Sequence, residues 1–346
     1  MTDDKPKLTY RDAGVDIDAQ DEGLRRIRRL LEGTRTPGVL SELGSFGGLF
    51  ALDGSIADPV LVASCDGVGT KLRVAFAAGV HDGVGRDLVH HCVNDVLVQG
   101  ARPLFFLDYF ATGRLDPAVL AAVVAGIAEG CRNTGCALLG GETAEMPGFY
   151  ASGEYDVAGF IVGVVSRARL LDGKGVQPGD RLIGLPSAGL HTNGYSLARR
   201  ICFEIAGLEL HSPVAELGMT VAQALLLEHR CYLRPLEGAL AHGWIRALAH
   251  VTGGGLTDNV PRVLPPGTAA RIVRGSWPVP PLFSWLARTG NVGDEEMYRT
   301  FNMGIGMVVV AGPEHAAELE AHLDASGMAH RRIGEIVAGD RSVIYA

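Results

Sequence analysis

Apolar residues in the first half of the chain fall into short runs that end at Gly, Pro or Asp. Such runs, rich in β-branched and aromatic residues, predict strands. They cover Pro59–Cys65, Pro103–Ala111, Ala137–Gly140 and Asp156–Val165. Between them, Asp116 and Pro117 supply an N-cap and a first-turn proline, and apolar residues then recur at helical spacing from Val119 to Ile127. The pattern therefore predicts strands alternating with helices.

The segment Leu171–Asp180 is polar and rich in turn-forming residues, so we expect few core contacts to cross it. The alternation then starts again. Strands are predicted at Arg181–Leu185, Ala247–Val251, Ala269–Val273, Asn302–Val310 and Arg332–Val337, and helices at Tyr195–Ala206, Val221–Ala241, Leu256–Leu264 and Glu314–Ala325. Both halves are mixed α and β, and no period typical of a solenoid or propeller is visible.

Length and composition limit the class of protein. A chain of 346 residues predicts two domains, which we place at 1–170 and 171–346. Hydrophobic residues make up 47% of the chain, which excludes a disordered protein. The formal net charge of −8 disfavours nucleic acid as a partner, although glycine amides, a few lysines and a metal ion can still hold one nucleotide.

The six cysteines form no CxxC pair and lie mostly in apolar stretches, as buried reduced thiols do. The N-terminal residues contain no apolar signal segment, and no run approaches the length of a membrane span. We therefore expect a cytoplasmic location and no membrane partner.

The densest group of chemically capable residues is Ser64–Lys71, directly after a predicted strand. Gly67 and Gly69 allow backbone amides to turn toward an anion, Asp66 suits Mg²⁺, and Lys71 suits a phosphate. Neither a Walker loop nor a GxGxxG motif is present. A tight strand-to-helix turn explains the same residues about equally well.

Two further acids stand near glycines. Asp95 follows Asn94 in an apolar stretch, where a carboxylate is costly unless a metal or hydrogen bonds compensate it; an N-cap is the alternative. Glu142 follows a glycine pair at the carboxyl end of a strand, where open α/β sheets usually bind ligands. Together with Asp66, these acids favour one shared Mg²⁺ site over three separate caps.

Other glycine-rich segments connect predicted elements. The segment His191–Ser196 offers side-chain donors for substrate oxygens, although a lone histidine is more often structural. Thr252–Gly255 offers free amides suited to a phosphate monoester, or is a flexible turn. The loop Leu43–Leu49 and the acidic segment Tyr10–Asp18 are either a mobile cover over a nucleotide or solvated surface. His81, His90 and His91 lack a metal-ligand spacing.

Taken together, these motifs resemble the phosphoribosylformylglycinamidine cyclo-ligase family, also called AIR synthetases. The resemblance runs nearly end to end. It rests on DAGVDID at Asp12–Asp18, DGVGTK at Asp66–Lys71, the segment Asn94–Tyr109, GGETAEMPG at Gly140–Gly148, YDVAGF at Tyr155–Phe160, HTNGYS at His191–Ser196, the segment Thr252–Pro265 and MYRTFNMGIGM at Met297–Met307. The element from Asp95 to Pro103 is similar to the signature of a wider ATP-binding superfamily.

The resemblance implies an N-terminal ATP-binding and dimerisation domain whose sheet pairs with that of a second subunit to close a β-barrel. It also implies a C-terminal substrate-binding domain with a mixed sheet flanked by helices. The implied reaction converts formylglycinamidine ribonucleotide and ATP to aminoimidazole ribonucleotide, ADP and phosphate through an iminophosphate. The implied cofactors are ATP and Mg²⁺, and the implied assembly is a homodimer.

The resemblance also implies a role for each motif residue. It assigns catalysis to Asp66, Lys71, Asp95 and His191, cofactor contacts to Gly67, Gly69, Thr70, Asn94, Gly47 and Gly48, substrate contacts to Asn193, Thr252, Gly253, Gly254 and Gly255, and metal binding to Asp66, Asp95 and Glu142. The chain departs from the family pattern at Cys65, where Thr is usual, at Arg28, where Lys is frequent, and at Glu228–His229, where Pro-Thr is usual.

Overall fold

The computed structural model describes residues 8–42 and 44–346. In the first half, the four helices and four strands are α1 (Ile17–Glu32), β1 (Pro59–Gly67), α2 (Lys71–Ala78), α3 (Asp82–Leu97), β2 (Arg102–Thr112), α4 (Pro117–Thr134), β3 (Ala137–Glu145) and β4 (Tyr155–Ser166). The four predicted strands and the helix capped by Asp116 are all present. The sequence pattern did not reveal α1, α2 or α3.

The strands of the first half form one sheet in the order β1-β4-β2-β3. Strand β4 is antiparallel to both β1 and β2, and β2 is parallel to β3. Side chains of β4 alternate, so that Val157 and Ile161 are buried in the core beneath α3, while Phe160 on the other face is 45% exposed. Leu61 of β1 is exposed on the same outer face as Phe160. Helix α3 therefore covers one face of the sheet, whereas Leu61 and Phe160 on the other face are exposed.

In the second half, the elements are β5 (Arg181–Pro186), α5 (Tyr195–Arg199), β6 (Pro213–Val214), β7 (Met219–Thr220), α6 (Val221–Leu225), α7 (Leu233–His242), β8 (Ile245–His250), α8 (Gly255–Asn259), β9 (Thr268–Ile272), α9 (Pro281–Gly290), α10 (Asp294–Thr300), β10 (Ile305–Ala311), α11 (Ala316–Ala325), β11 (Arg331–Ala338) and β12 (Val343–Tyr345). The large sheet has the order β12-β9-β11-β5-β10-β8. Strands β12 and β9 are parallel and the other pairs antiparallel. The predicted mixed α and β class is thus confirmed for both halves.

Strand β10 shows how the two halves share a core. All seven of its residues are buried. Met307 and Val309 belong to the apolar cluster that includes the first-half helices, whereas Val308 and Val310 belong to the cluster on the other face of the large sheet. Because successive strand residues point to opposite faces, β10 joins both clusters. The division at 170/171 stays a prediction.

Three predicted elements need correction. The helix predicted at Val221–Ala241 is two helices, α6 and α7, separated by residues 226–232. Pro235 stands in the first turn of α7, where proline is tolerated, and would have interrupted one continuous helix. The helix predicted at Leu256–Leu264 is the short α8 followed by a 3₁₀ turn at Val260–Val263, and the strand predicted from Asn302 begins at Ile305.

Helices α3 and α4 cross at glycines, which permits a close approach. A Cβ on Gly126 of α4 would collide with the backbone oxygen of Asp82. We expect Gly126→Ala to lower the free energy of unfolding by about 1–3 kcal/mol, since overpacking forces the backbones apart. The matched control is Gly83→Ala on α3, where a Cβ has open space and alanine favours the helix. Urea unfolding measures both, and equal stabilities would contradict the close crossing.

Candidate active site

The loop between β1 and α2 carries the first acid of the candidate site. Gly69 has φ +56°, a conformation that favours glycine, and lets the chain turn from the strand into α2. Asp66 lies near the end of β1, and its Oδ1 accepts a hydrogen bond of 2.7 Å from the Gly67 amide. Nearly half of its side chain is exposed, at 47%. Asp66 is therefore held in place while one side remains open.

Asp66 and Asp95 meet around one histidine. His91 Nε2 lies 2.7 Å from Asp66 Oδ2 and 3.7 Å from Asp95 Oδ2. Ser64 donates a hydrogen bond of 3.1 Å to that same Asp95 oxygen, and His250 Nδ1 lies 2.8 Å from the other. Asp95 stands in the last turn of α3, so the alternative of an N-cap is wrong.

The electrostatics of this cluster keep both acids ionised. Burial raises the pKa of each acid. For Asp66 it is outweighed by His91, the Gly67 amide and His250 together, and for Asp95 by His250, His91 and Ser64 together, so both pKa values lie below their usual range. Burial opposes the charge of His91, yet Asp66 and Asp95 outweigh that effect and raise its pKa. Two carboxylates with a nearby hydroxyl form an oxygen-rich donor set, which suits Mg²⁺.

Glu142 is not part of this cluster. Gly67 of β1 pairs with Ala158 of β4, which in turn pairs with Tyr109 of β2. Tyr109 pairs with Glu142 of β3, so the strands β4 and β2 lie between β1 and Glu142. Three spacings of about 4.8 Å place the two backbones roughly 14 Å apart. Directly paired residues share a face, and the pairing puts Glu142 on the opposite face from Asp66. The predicted site with three carboxylates from one chain is therefore corrected to the pair of Asp66 and Asp95.

Glu142 instead lines a cavity of about 1120 Å³ between α1 and β3. Gly47 and Gly48 from the glycine-rich loop line the same cavity, as does Asp108 of β2. Leu43, the first residue of that predicted loop segment, lies outside the described residues. The cavity exceeds the usual size of a small-molecule pocket.

Burial raises the pKa of Asp108 from 3.8 to about 7. Below pH 3.8 the Asp108 carboxyl is protonated in both the folded and the unfolded chain. As the pH rises from 3.8 to about 7, only the unfolded chain releases this proton, and the free energy of unfolding therefore falls. We expect Asp108→Asn to gain stability relative to the unaltered chain across that window, by up to about 1.4 kcal/mol per pKa unit. Urea unfolding at several pH values tests this, and a pH-independent difference would contradict it.

Motifs from the second half lie against the β1–α2 loop. Thr70 Oγ1 is 3.2 Å from Ser196 Oγ. Thr192 Oγ1 lies 2.7 Å from His91 Nδ1 on α3. The Oδ1 atom of Asn193 would lie 3.2 Å from a Cβ on Gly253. The segments 66–71, 191–196 and 252–255, which are distant in sequence, thus form one continuous surface.

The segment Thr252–Gly255 is built tightly. The Asn259 amide donates to the carbonyl oxygens of Gly253 and Gly255, and Thr252 Oγ1 donates to Asn259 Oδ1. Gly254 has φ +101° and Gly255 φ +57°, and a Cβ on Gly255 would collide with the Tyr298 oxygen. The flexible-turn alternative therefore does not describe this segment.

Three predicted site residues are buried with protein partners and need correction. Lys71 is 1% exposed, and its Nζ lies 2.5 Å from Asp87 Oδ2 and 2.7 Å from the Leu227 oxygen. Asn94 accepts from the Tyr232 amide and donates to the Arg230 oxygen. Lys71 and Asn94 both bond to backbone groups of the irregular segment 226–232. Such groups must be paired when they are buried, which explains why these two side chains are used inside the protein.

His191 is the third of these residues and is fully buried. Its Nε2 accepts from the Ala188 amide at 3.1 Å, and its ring stacks on that of His229 with centroids 4.1 Å apart. Burial lowers its pKa well below the usual value. In this arrangement His191 packs beneath the surface of the site and has no exposed atoms for direct contact with substrate.

Sequence reasoning missed the histidines beside the acids. His91 lies on α3, His229 in the segment 226–232 and His250 at the end of β8, and together they form a cluster of possible metal ligands. Their separations in sequence match no metal-binding motif. The pair Glu228–His229, a departure from the family pattern, was the available signal.

Comparisons with known proteins find a separate family model for each half of the chain. Residues 53–165 match the family model described as AIR synthase related protein, N-terminal domain, and residues 177–346 match its C-terminal domain. The relative from Sorangium cellulosum (strain So ce56) is 56% identical over 333 residues, covering 96% of each chain. The relative from Gloeobacter violaceus is 55% identical over 331 residues, covering 95% of this chain and 98% of its own.

Both relatives are named phosphoribosylformylglycinamidine cyclo-ligase. The chain belongs to the AIR synthase related proteins and, among them, to the phosphoribosylformylglycinamidine cyclo-ligase family of enzymes. Among residues 8–42 and 44–346, no helix is long and apolar enough to cross a membrane.

Solved structures show the same fold at low sequence identity. Thiamine-monophosphate kinase from Stenotrophomonas maltophilia K279a aligns with a TM-score of 0.70 and 18% identity over 93% of this chain and 95% of its own. Hydrogenase maturation protein HypE in complex with ATP aligns with a TM-score of 0.64 and 19% identity over 93% of this chain and 90% of its own. These likenesses concern the fold alone.

Proposed function

We propose that the chain converts formylglycinamidine ribonucleotide and ATP to aminoimidazole ribonucleotide, ADP and phosphate, a step of purine biosynthesis. The observation that carries the proposal is the meeting of Asp66 and Asp95 around His91, beside the segments 191–196 and 252–255. Family membership names the substrate class, and this cluster supplies the charge needed for phosphoryl transfer.

The chemistry begins at the formamide oxygen, which is a poor leaving group. Transfer of the γ-phosphoryl group to that oxygen, with loss of the formamide N–H proton, gives an iminophosphate and releases ADP. A neighbouring amidine nitrogen then attacks the same carbon and forms the C–N bond of the ring, while the C–O bond breaks and inorganic phosphate leaves. The amidine loses a proton in the process. Such a scheme needs positioning and charge neutralisation but no covalent enzyme nucleophile.

The residues around Asp66 would have separate roles in this phosphoryl transfer. Asp66 and Asp95 would hold Mg²⁺, which supplies charge neutralisation for the transferred phosphoryl group. Gly67, Gly69 and Thr70 lie beside Asp66 and offer amide and hydroxyl groups for phosphate oxygens. Contacts of Gly47 and Gly48 with the nucleotide stay a prediction, supported by the cavity that both residues line.

The substrate would lie across the boundary between the two halves. Asn193 and Gly253 face each other there, and Thr252, Gly254 and Gly255 complete the edge. A surface built from both halves can hold the ribonucleotide with its formamide near the Asp66 carboxylate. Binding from both sides also excludes water, which would otherwise hydrolyse the iminophosphate.

The proposed homodimer is supported by the outer face of the first-half sheet. In the described part of the chain, Leu61 is 57% exposed and Phe160 45% exposed on this face. A second subunit pairing sheet against sheet would bury these side chains and close the predicted barrel. The cytoplasmic location likewise stays a prediction.

The test is an assay with purified chain, MgATP and formylglycinamidine ribonucleotide. An aromatic-amine colour reaction for aminoimidazole ribonucleotide should develop only with this substrate, and ADP should form in equal amount. Thiamine monophosphate and other amides or acids used by the wider superfamily serve as competing substrates. ADP formation with one of these and none with formylglycinamidine ribonucleotide would reject the proposal.

A further inference from the structure

Arg299 stands beside the part of the candidate site that the second half of the chain supplies. It lies in the last turn of α10, and 67% of its side chain is exposed. Its Nε donates a hydrogen bond of 3.2 Å to Asp258 Oδ2 on α8. That same oxygen would lie 3.2 Å from a Cβ on Gly254. The guanidinium group is therefore held next to the segment Thr252–Gly255.

The end of α10 also supports the backbone of this part of the site. A Cβ on Gly255 would collide with the Tyr298 oxygen, and a Cβ on Gly194 would lie 3.3 Å from the Thr300 oxygen. Glycine at these two positions allows the chain at the end of α10 to approach closely. Arg299 is thus carried by backbone that packs against both of the second-half segments of the site.

The substrate end that reaches this segment is anionic. In the proposed function the formamide lies near Asp66, so the phosphate group of the ribonucleotide lies at the other end of the molecule, toward Thr252–Gly255. Backbone amides carry no net charge, and the Gly255 amide already donates to the Thr252 oxygen at 3.0 Å. Because the chain has a formal net charge of −8, a phosphate bound here needs a local cation.

The guanidinium group of Arg299 meets this need, whereas Lys71 does not. Lys71 is 1% exposed and is paired with Asp87. Arg299 uses its Nε for Asp258, and its Nη1 and Nη2 atoms have no protein acceptor within the described part of the chain. A planar guanidinium group can hold a carboxylate on one edge and phosphate oxygens on the other.

We propose that Arg299 binds the phosphate group of the ribonucleotide substrate. The inference rests on the proposed function, from which it takes the substrate and its direction in the site. It adds a charged side chain from α10 to the uncharged groups that line this edge. Such a contact favours the ribonucleotide over the corresponding ribonucleoside, which has no phosphate for Arg299 to bind.

The test measures binding of formylglycinamidine ribonucleotide to the full chain by calorimetry, without ATP. Arg299→Gln should raise Kd by about 10- to 100-fold, the effect of losing a hydrogen bond to a charged group. Affinity for the ribonucleoside and for MgATP should not change. Arg299→Lys should recover part of the affinity, because it keeps the charge without the planar fork. In the turnover assay KM for the ribonucleotide should rise while kcat stays within about twofold.

The matched control is Arg288→Gln, which removes another exposed arginine paired with an acid, Glu216, and should leave both affinities unchanged. Equal ribonucleotide affinity in Arg299→Gln and the unaltered chain would overturn the inference. The proposed function would stand in that case, provided that the unaltered chain forms aminoimidazole ribonucleotide. Equal weakening for ribonucleotide and ribonucleoside would indicate a structural role and reject the phosphate contact. An unaltered chain that binds no ribonucleotide would overturn both proposals. Circular dichroism checks that each variant is folded.

Discussion

Replacing Asp95 with asparagine is expected to lower turnover at least about 100-fold, because the change removes a charge that stabilises the transferred phosphoryl group. Asparagine has nearly the same shape and keeps one oxygen to accept from Ser64 or His250. The loss should therefore appear in kcat while the chain stays folded and its assembly unchanged. The colour assay for aminoimidazole ribonucleotide measures it, with gel filtration and circular dichroism on the same sample.

The matched control is Asp172→Asn. Asp172 lies in the segment between the two halves, where its exposed carboxylate pairs with Lys174. Its loss should leave turnover unchanged, since an exposed surface pair contributes little. Unaltered turnover in Asp95→Asn would remove Asp95 from the mechanism and would leave the proposed Mg²⁺ site without its second carboxylate.

Replacing Lys71 with methionine is expected to lower the free energy of unfolding by about 3–5 kcal/mol, because it leaves the buried Asp87 charge without its partner. Lys71 and Asp87 are each 1% exposed, and Asp87 also accepts from the His229 amide at 2.7 Å. The pair therefore connects α2 and α3 to the segment 226–232. Urea unfolding followed by circular dichroism measures the loss.

Two further variants separate this explanation from simple loss of packing. The double variant Lys71→Met with Asp87→Leu should recover much of the stability, since it removes both charges together. Lys174→Met, at a pair whose lysine is 86% exposed, should change stability by less than about 1 kcal/mol. A double variant as unstable as Lys71→Met alone would show that the charge pair is not the cause.

Local patterns predicted most of the sheet-forming segments. Strands β1 to β4 were all indicated by apolar runs that end at turn-forming residues, and Asp116 does accept from the Ala118 amide as an N-cap. Helix α3 was not indicated, because most of its residues are buried on every side and the usual amphipathic period is weak. The break at residues 226–232 was also missed, although Pro235 marked it.

The candidate site was predicted only in part. The sequence indicated Asp66 and Asp95 as acids near glycines, and they do meet around His91. Glu142 had the same local appearance but lies on β3, at the far side of the sheet from Asp66. Lys71 appeared suited to a phosphate and is instead paired with Asp87. Residue type and local spacing do not distinguish these outcomes.

The sequence by itself determined the mixed α and β class, most of the strands, and the motifs that identify the family. Only the tertiary structure decided which acids meet, which lysine is buried and which histidines lie beside the acids. Asp95 and His250 are 155 positions apart, and Asn94 and Tyr232 are 138 apart. Contacts at such separations depend on how the two halves pack against each other, and a local pattern carries no information about that packing.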